Sequence, residues 1–140
     1  MDYEKPTYRM FFVWIAAFLA VMAGGTAVCS HWPDTFSGGA AIKLILLLCL
    51  LMLLALFYYI YRTGRVYWFN GVTYKEAAKA GGERRHAYAW AHLRVFLLAG
   101  AVFAVYCAAG AALHTGAMLD TAVFLVVLLT AAFSTLRIKL

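Results

Sequence analysis

The sequence predicts an all-α integral membrane fold: a four-transmembrane-helix bundle, both termini cytoplasmic, with a small cytoplasmic β-hairpin plus short helix between helices two and three. Three observations predict it. Of 140 residues, 66% are hydrophobic and 13% charged, whereas globular domains are about half apolar and about a quarter charged. A domain this small buries too little of its surface to hide that excess. Four apolar runs, at about 10–29, 41–61, 91–113 and 118–136, each approach the ~20 residues that cross a ~30 Å hydrocarbon core. Finally, eleven of the twelve Lys and Arg residues fall on the side of the termini and the 62–90 loop, and only Lys43 falls opposite. Basic residues stay cytoplasmic, so the expectation is a multi-pass protein of the inner or plasma membrane, one membrane domain over 1–140.

The first run is expected to be a retained helix rather than a signal peptide. Asp2 and Glu4 stand among the leader's basic residues, and about 20 apolar residues is long for a signal core. Small residues recur every four positions at Ala16, Ala20 and Gly24, a pattern that lets helix backbones approach closely in lipid. A turn follows, marked by Pro33 and Gly38–Gly39. The second run is almost pure leucine from Leu44 to Leu54 and lacks a small face, which predicts a peripheral, lipid-exposed helix. It ends in an aromatic belt of Phe57, Tyr58, Tyr59 and Tyr61.

The 62–90 loop carries the densest local signals. Asn70-Gly71, flanked by Val66, Tyr67, Trp68 and Phe69 on one side and Val72, Thr73 and Tyr74 on the other, predicts a β-hairpin lying on the membrane surface. Thr73 and Glu76 form a capping-box pattern at a helix start, Ala77, Ala78 and Ala80 favour helix, and Gly81–Gly82 should end or hinge it. A helix from about Glu83 to His114 would be about 48 Å long at 1.5 Å per residue, so its first turns should protrude. Its membrane part repeats small residues at Gly100, Ala104, Ala108 and Ala112, which predicts close contact with the first helix. A short outer loop, 114–120, leads to the fourth helix, anchored by Arg137 and Lys139.

Arg62, Arg65, Arg84, Arg85 and Arg94, interleaved with aromatic residues, are candidates for an anionic ligand or lipid headgroup. Each basic residue near a membrane surface adds about 1 kcal/mol of attraction to anionic lipid, and a guanidinium presents a fork suited to phosphate. His31 and His114 would approach one another if helices one and three pack together, and are the candidate residues for a metal site. His86 and His92, six residues apart, lie about 240° apart around a helix and cannot share a ligand. Cys29, Cys49 and Cys107 form no CxxC and suit buried apolar positions. No cofactor is expected.

The spans are expected to hold no ionisable residue in their interiors, with Lys43 and Arg94 near span ends, Asp120 in the outer loop. That disfavours proton- or ion-coupled transport, which uses intramembrane charges. No catalytic triad, carboxylate pair or phosphate-cradling glycine loop is present, and the soluble surface is too small for nucleic acid. The expected role is a non-catalytic accessory or assembly subunit of a membrane complex, docking through the basic-aromatic loop. The alternatives are a homo-oligomeric channel or transporter for a small anionic or neutral solute, and a membrane-surface enzyme acting on a lipid phosphate. Expected partners are membrane lipids, anionic ones included, and either further copies of the chain or a larger membrane protein.

Overall fold

The computed structural model describes residues 6–36, 39–69 and 71–140. Among them every regular element is helical: α1 (Arg9–His31), α2 (Gly39–Thr63), a 3-10 turn (Val66–Trp68), α3 (Tyr74–Lys79), α4 (Gly81–Ala112) and α5 (Ala117–Thr135). Helices α1, α2, α4 and α5 are each long and apolar enough to cross a membrane. The chain is therefore a small membrane protein with four candidate spans.

One end of the helices carries Thr7, the 3-10 turn, α3 and the last residues of the chain. There the Tyr67 hydroxyl accepts from the Thr7 amide and donates to the Thr7 carbonyl, both at 3.1 Å. Ile138 and Leu140 close over a cluster of Ile60, Val66, Tyr67, Ala77, Tyr88 and Ala89. This is called the basic end below; the opposite, far end carries the 32–36 turn and the 113–116 connection.

Helices α2, α4 and α5 pack against one another, whereas α1 packs on α2 and meets neither α4 nor α5, its Phe11 ring reaching Trp68 of the 3-10 turn at 5.4 Å. This corrects two expectations: α1 and α4 do not meet, and the leucine-rich helix is central rather than peripheral. The small residues are used differently from the predicted way. Gly100 and Gly25 receive leucine side chains of α2 instead of each other. A Cβ on Gly100 would lie 3.2 Å from Leu54 and 3.5 Å from Leu50, and one on Gly25 would lie 2.7 Å from Leu48. The Trp14 indole N–H also donates to the Met52 carbonyl at 3.0 Å, fixing α1 on α2.

The buried face of α4 runs through Ala89, Leu93, Phe96, Gly100, Phe103, Cys107 and Gly110. These steps alternate four and three, the 3.5-residue period of helices that cross at shallow angles. A strict four-residue ladder instead drifts about 40° per step around the axis. Of the Gly100, Ala104 and Ala108 series, only Gly100 is buried; Ala104 and Ala108 face outward, as do Ala16, Ala20 and Gly24.

The β-hairpin is also corrected, with Asn70 itself outside the described residues. No strand is found among those described, and residues 66–68 form a helical turn instead. Val66 and Tyr67 are adjacent, yet both are buried. Strand geometry would send them to opposite faces, and a lone two-stranded hairpin has little stability in water. Burial of both against Ile60, Tyr88 and Ala89 settles the conformation. The remainder of the loop follows its local signals. Thr73 accepts from the Glu76 amide while the Glu76 carboxylate accepts from the Thr73 amide at 2.8 Å, completing the capping box. Gly81, at φ +73°, makes the break between α3 and α4.

Candidate functional site

The far end holds a buried polar cluster. Lys43, in the second turn of α2, donates to Asp120 Oδ2 at 2.7 Å and to the Thr115 carbonyl at 3.1 Å. The other carboxylate oxygen of Asp120 accepts from the Tyr106 hydroxyl at 2.8 Å and the Thr115 hydroxyl at 2.6 Å. Asp120 is 0% exposed and lies in the first turn of α5, where the helix dipole favours a carboxylate. This corrects the expectation that Asp120 is a loop residue: it lies in the first turn of α5 and pairs with Lys43 near the N-terminal end of α2.

Two glycines make room for the cluster. A Cβ on Gly110 would lie 2.6 Å from the Thr115 hydroxyl, and one on Gly39 would lie 2.5 Å from the Thr115 carbonyl. His114 positions Thr115 through its backbone. It takes φ +53°, the left-handed residue after a helix end, and the Thr115 amide returns to the Gly110 carbonyl at 3.0 Å, as in a Schellman turn. His31, on α1, is not brought to His114 by any contact between α1 and α4. No group of three His, Cys, Asp or Glu side chains converges among the described residues. Every charge and hydroxyl of the far-end cluster is engaged, which makes it a structural tie between three helices.

The basic end holds a cavity of about 790 Å³, within the ~300–1,000 Å³ of small-molecule sites. Phe57, Phe96 and Ala132 line it on the side of the spans; Tyr88, His92 and Thr135 line it as well, and Lys79, Arg84, Lys139 and Glu76 belong to its wall nearer the end of the helices. The aromatic wall is consolidated by Phe69, stacked on Phe57 at 5.4 Å and on His92 at 4.5 Å between centroids. His92 Nδ1 meets the Tyr88 carbonyl at 3.0 Å. A carbonyl only accepts, so Nδ1 carries the proton and Nε2 is left for another partner.

Of the five predicted arginines, Arg84 alone lines this cavity. Arg65 is held locally: its guanidinium lies 5.6 Å from the Trp68 ring and 5.9 Å from the Tyr59 ring, and it donates to the Tyr59 hydroxyl at 3.1 Å. Arg85 donates to the Ala77 carbonyl at 3.2 Å, tying α4 to α3. Arg62 and Arg94 are exposed elsewhere. Lys79, Lys139, Tyr88 and His92 were not singled out as a joint site, because α3, α4 and the chain end meet only in three dimensions. One signal was present: Arg84, Tyr88, His92 and Phe96 recur every four residues along one helix. Among the described residues Glu76 is the one acidic side chain at the rim. Hydrogen bonds from the Thr73 amide, and then from its hydroxyl, hold its carboxyl below the usual carboxylate range.

No protein-family model, curated protein or solved structure matches this chain.

Proposed function

We propose that this chain is a non-catalytic accessory or assembly subunit of a membrane complex, docked through its basic-aromatic element, with that end and both termini facing the cytoplasm. One observation carries this: residues 64–69 and 71–80 are a built platform rather than a slack loop. Its floor is the buried cluster around Val66, Tyr67 and Ala77, its helix is closed by a capping box, and Lys75, Lys79 and Arg84 stand exposed upon it. A preorganised surface binds without the ordering cost a mobile loop would incur. The test is purification in native lipid with mass determination of the intact assembly. A larger chain present at fixed stoichiometry, and lost on Lys75→Glu with Lys79→Glu, supports the proposal. A lone homo-oligomer unaffected by those changes contradicts it.

Self-association is favoured by a different observation. Ala16, Ala20 and Gly24 face outward on α1, and a Cβ on Gly24 would meet no neighbour. Such a face suits close approach of a second helix in lipid. Under this reading Ala20→Leu abolishes cross-linking between copies; unchanged cross-linking removes it.

A further inference from the structure

Along α4 the wall of the cavity at the basic end runs from charged to apolar, an order that matches one class of ligand. Arg84, Tyr88, His92 and Phe96 descend α4 at four-residue steps, which places guanidinium, phenol, imidazole and phenyl over about 18 Å of helix. All four line the cavity. The direction of this gradient is that of a bilayer leaflet: charge at the headgroup level, hydrogen-bonding groups beneath, hydrocarbon below.

The rim carries a surplus of positive charge. Among the described residues, Lys79, Arg84 and Lys139 share the cavity with one acidic side chain, Glu76, and that carboxylate already accepts from the Thr73 amide and hydroxyl. Among the described residues, none of the three cations forms an ion pair or side-chain hydrogen bond; the pair that exists, Lys43–Asp120, is at the far end. The middle of the cavity adds two unused polar atoms. Tyr88 and His92 are 7% and 6% exposed. The Tyr88 hydroxyl and His92 Nε2 have no partner among the described residues. Yet no buried side-chain nitrogen or oxygen there is unsatisfied, so both atoms reach open space, which for these two residues is the cavity.

We infer that this cavity is a specific site for one anionic glycerophospholipid of the adjacent leaflet, with its phosphate among Lys79, Arg84 and Lys139, an ester carbonyl at Tyr88, and an acyl chain against Phe57, Phe96 and Ala132. Tyr88 donates to an ester carbonyl, and His92 Nε2 in the neutral ring accepts from a water beside the esters; the unpaired cationic rim favours an anionic headgroup over zwitterionic choline. The guanidinium of Arg84 supplies the planar fork that phosphate takes. An acidic peptide would satisfy the rim but leave the phenyl-lined depth empty. The inference goes beyond docking to a partner protein, since a lipid site operates in the isolated chain.

The test uses the full chain, delipidated in detergent and titrated with phosphatidylglycerol, phosphatidylcholine or glycerol 3-phosphate, with bound adducts counted by native mass spectrometry. One phosphatidylglycerol is retained per chain, in clear preference to phosphatidylcholine, and glycerol 3-phosphate does not displace it. Arg84→Ala with Lys139→Ala lowers that retention about tenfold or more. Lys75→Ala with Arg137→Ala removes the same charge from exposed positions outside the cavity and leaves retention unchanged. Tyr88→Phe lowers it severalfold with no shift in thermal unfolding. Equal losses in the two charge variants would show diffuse attraction to a basic surface and overturn the site. Equal binding of glycerol 3-phosphate would assign the cavity to a soluble phosphate ester and overturn the lipid. Co-purification of an acidic peptide in the cavity, with no phospholipid preference, would also overturn it.

Discussion

At the far end Lys43 and Asp120 are enclosed by three helices, and each is matched by the other and by Tyr106 and Thr115. At the basic end Lys79, Arg84 and Lys139 stand around an open cavity with no carboxylate engaged among the described residues. The same residue chemistry thus serves two purposes. Charge that is buried and saturated fixes how α2, α4 and α5 meet. Charge left unpaired beside an amphipathic cavity is available to something that is not part of the chain. The contrast shows why counting basic residues locates neither site: Lys43, the lone exception to the positive-inside bias, is structural, and only some of the eleven others line the cavity.

The largest effect should come from breaking the far-end pair. Asp120→Ala leaves the Lys43 ammonium buried without a counter-charge and is expected to destabilise the fold by about 3–5 kcal/mol, read as loss of the thermal transition in detergent. Replacing both partners, Lys43→Met with Asp120→Leu, should recover most of that loss, because a matched apolar pair also avoids an uncompensated charge. A smaller loss, about 1–3 kcal/mol, is expected for Gly110→Ala, where the new methyl collides with Thr115 and Lys43. His114→Gly should stabilise by up to about 1 kcal/mol, since a left-handed backbone is unfavourable for a residue with a Cβ. A loss of stability there would mean that the imidazole itself is needed.

The smallest effect is confined to α3. Glu76 has a depressed pKa in the folded chain, so its capping contribution is present above the carboxylate's unfolded value and fades as pH falls through the folded one. Amide exchange at Tyr74–Lys79 should therefore lose protection in acid, and Thr73→Ala should abolish that pH dependence. Unchanged protection down the acid range would show that the helix is held by burial of Ala77 alone.

Much of this architecture is legible in the sequence because the bilayer leaves few options. Four apolar runs must become helices, since only helices satisfy their own backbone in lipid. The capping box at Thr73 and Glu76 and the break at Gly81 are local chemistry, and local chemistry prevailed there. What failed was pairing. Four-residue spacing of alanines states that a neighbour can come close, but not which neighbour. The leucines of α2 took the role assigned to α1. The Asn70-Gly71 signal was outweighed because Val66 and Tyr67 gain more from joint burial than from a two-stranded ladder. Asp120 had a readable signal that was missed. A lone lysine and a lone aspartate within apolar stretches at the same membrane depth must find each other or remain unpaired in hydrocarbon. The cavity draws on α2, α3, α4, α5 and the chain end together, and no linear pattern assembles those pieces.

The account rests on a division between paired and unpaired charge, and one comparison tests it most directly: phosphatidylglycerol retention, by native mass spectrometry, in two double variants. Arg84→Ala with Lys139→Ala should lose the bound lipid while its thermal unfolding is unchanged. Lys43→Met with Asp120→Leu should keep the lipid at the wild-type level. Equal retention in both variants, or loss in both, would contradict the division.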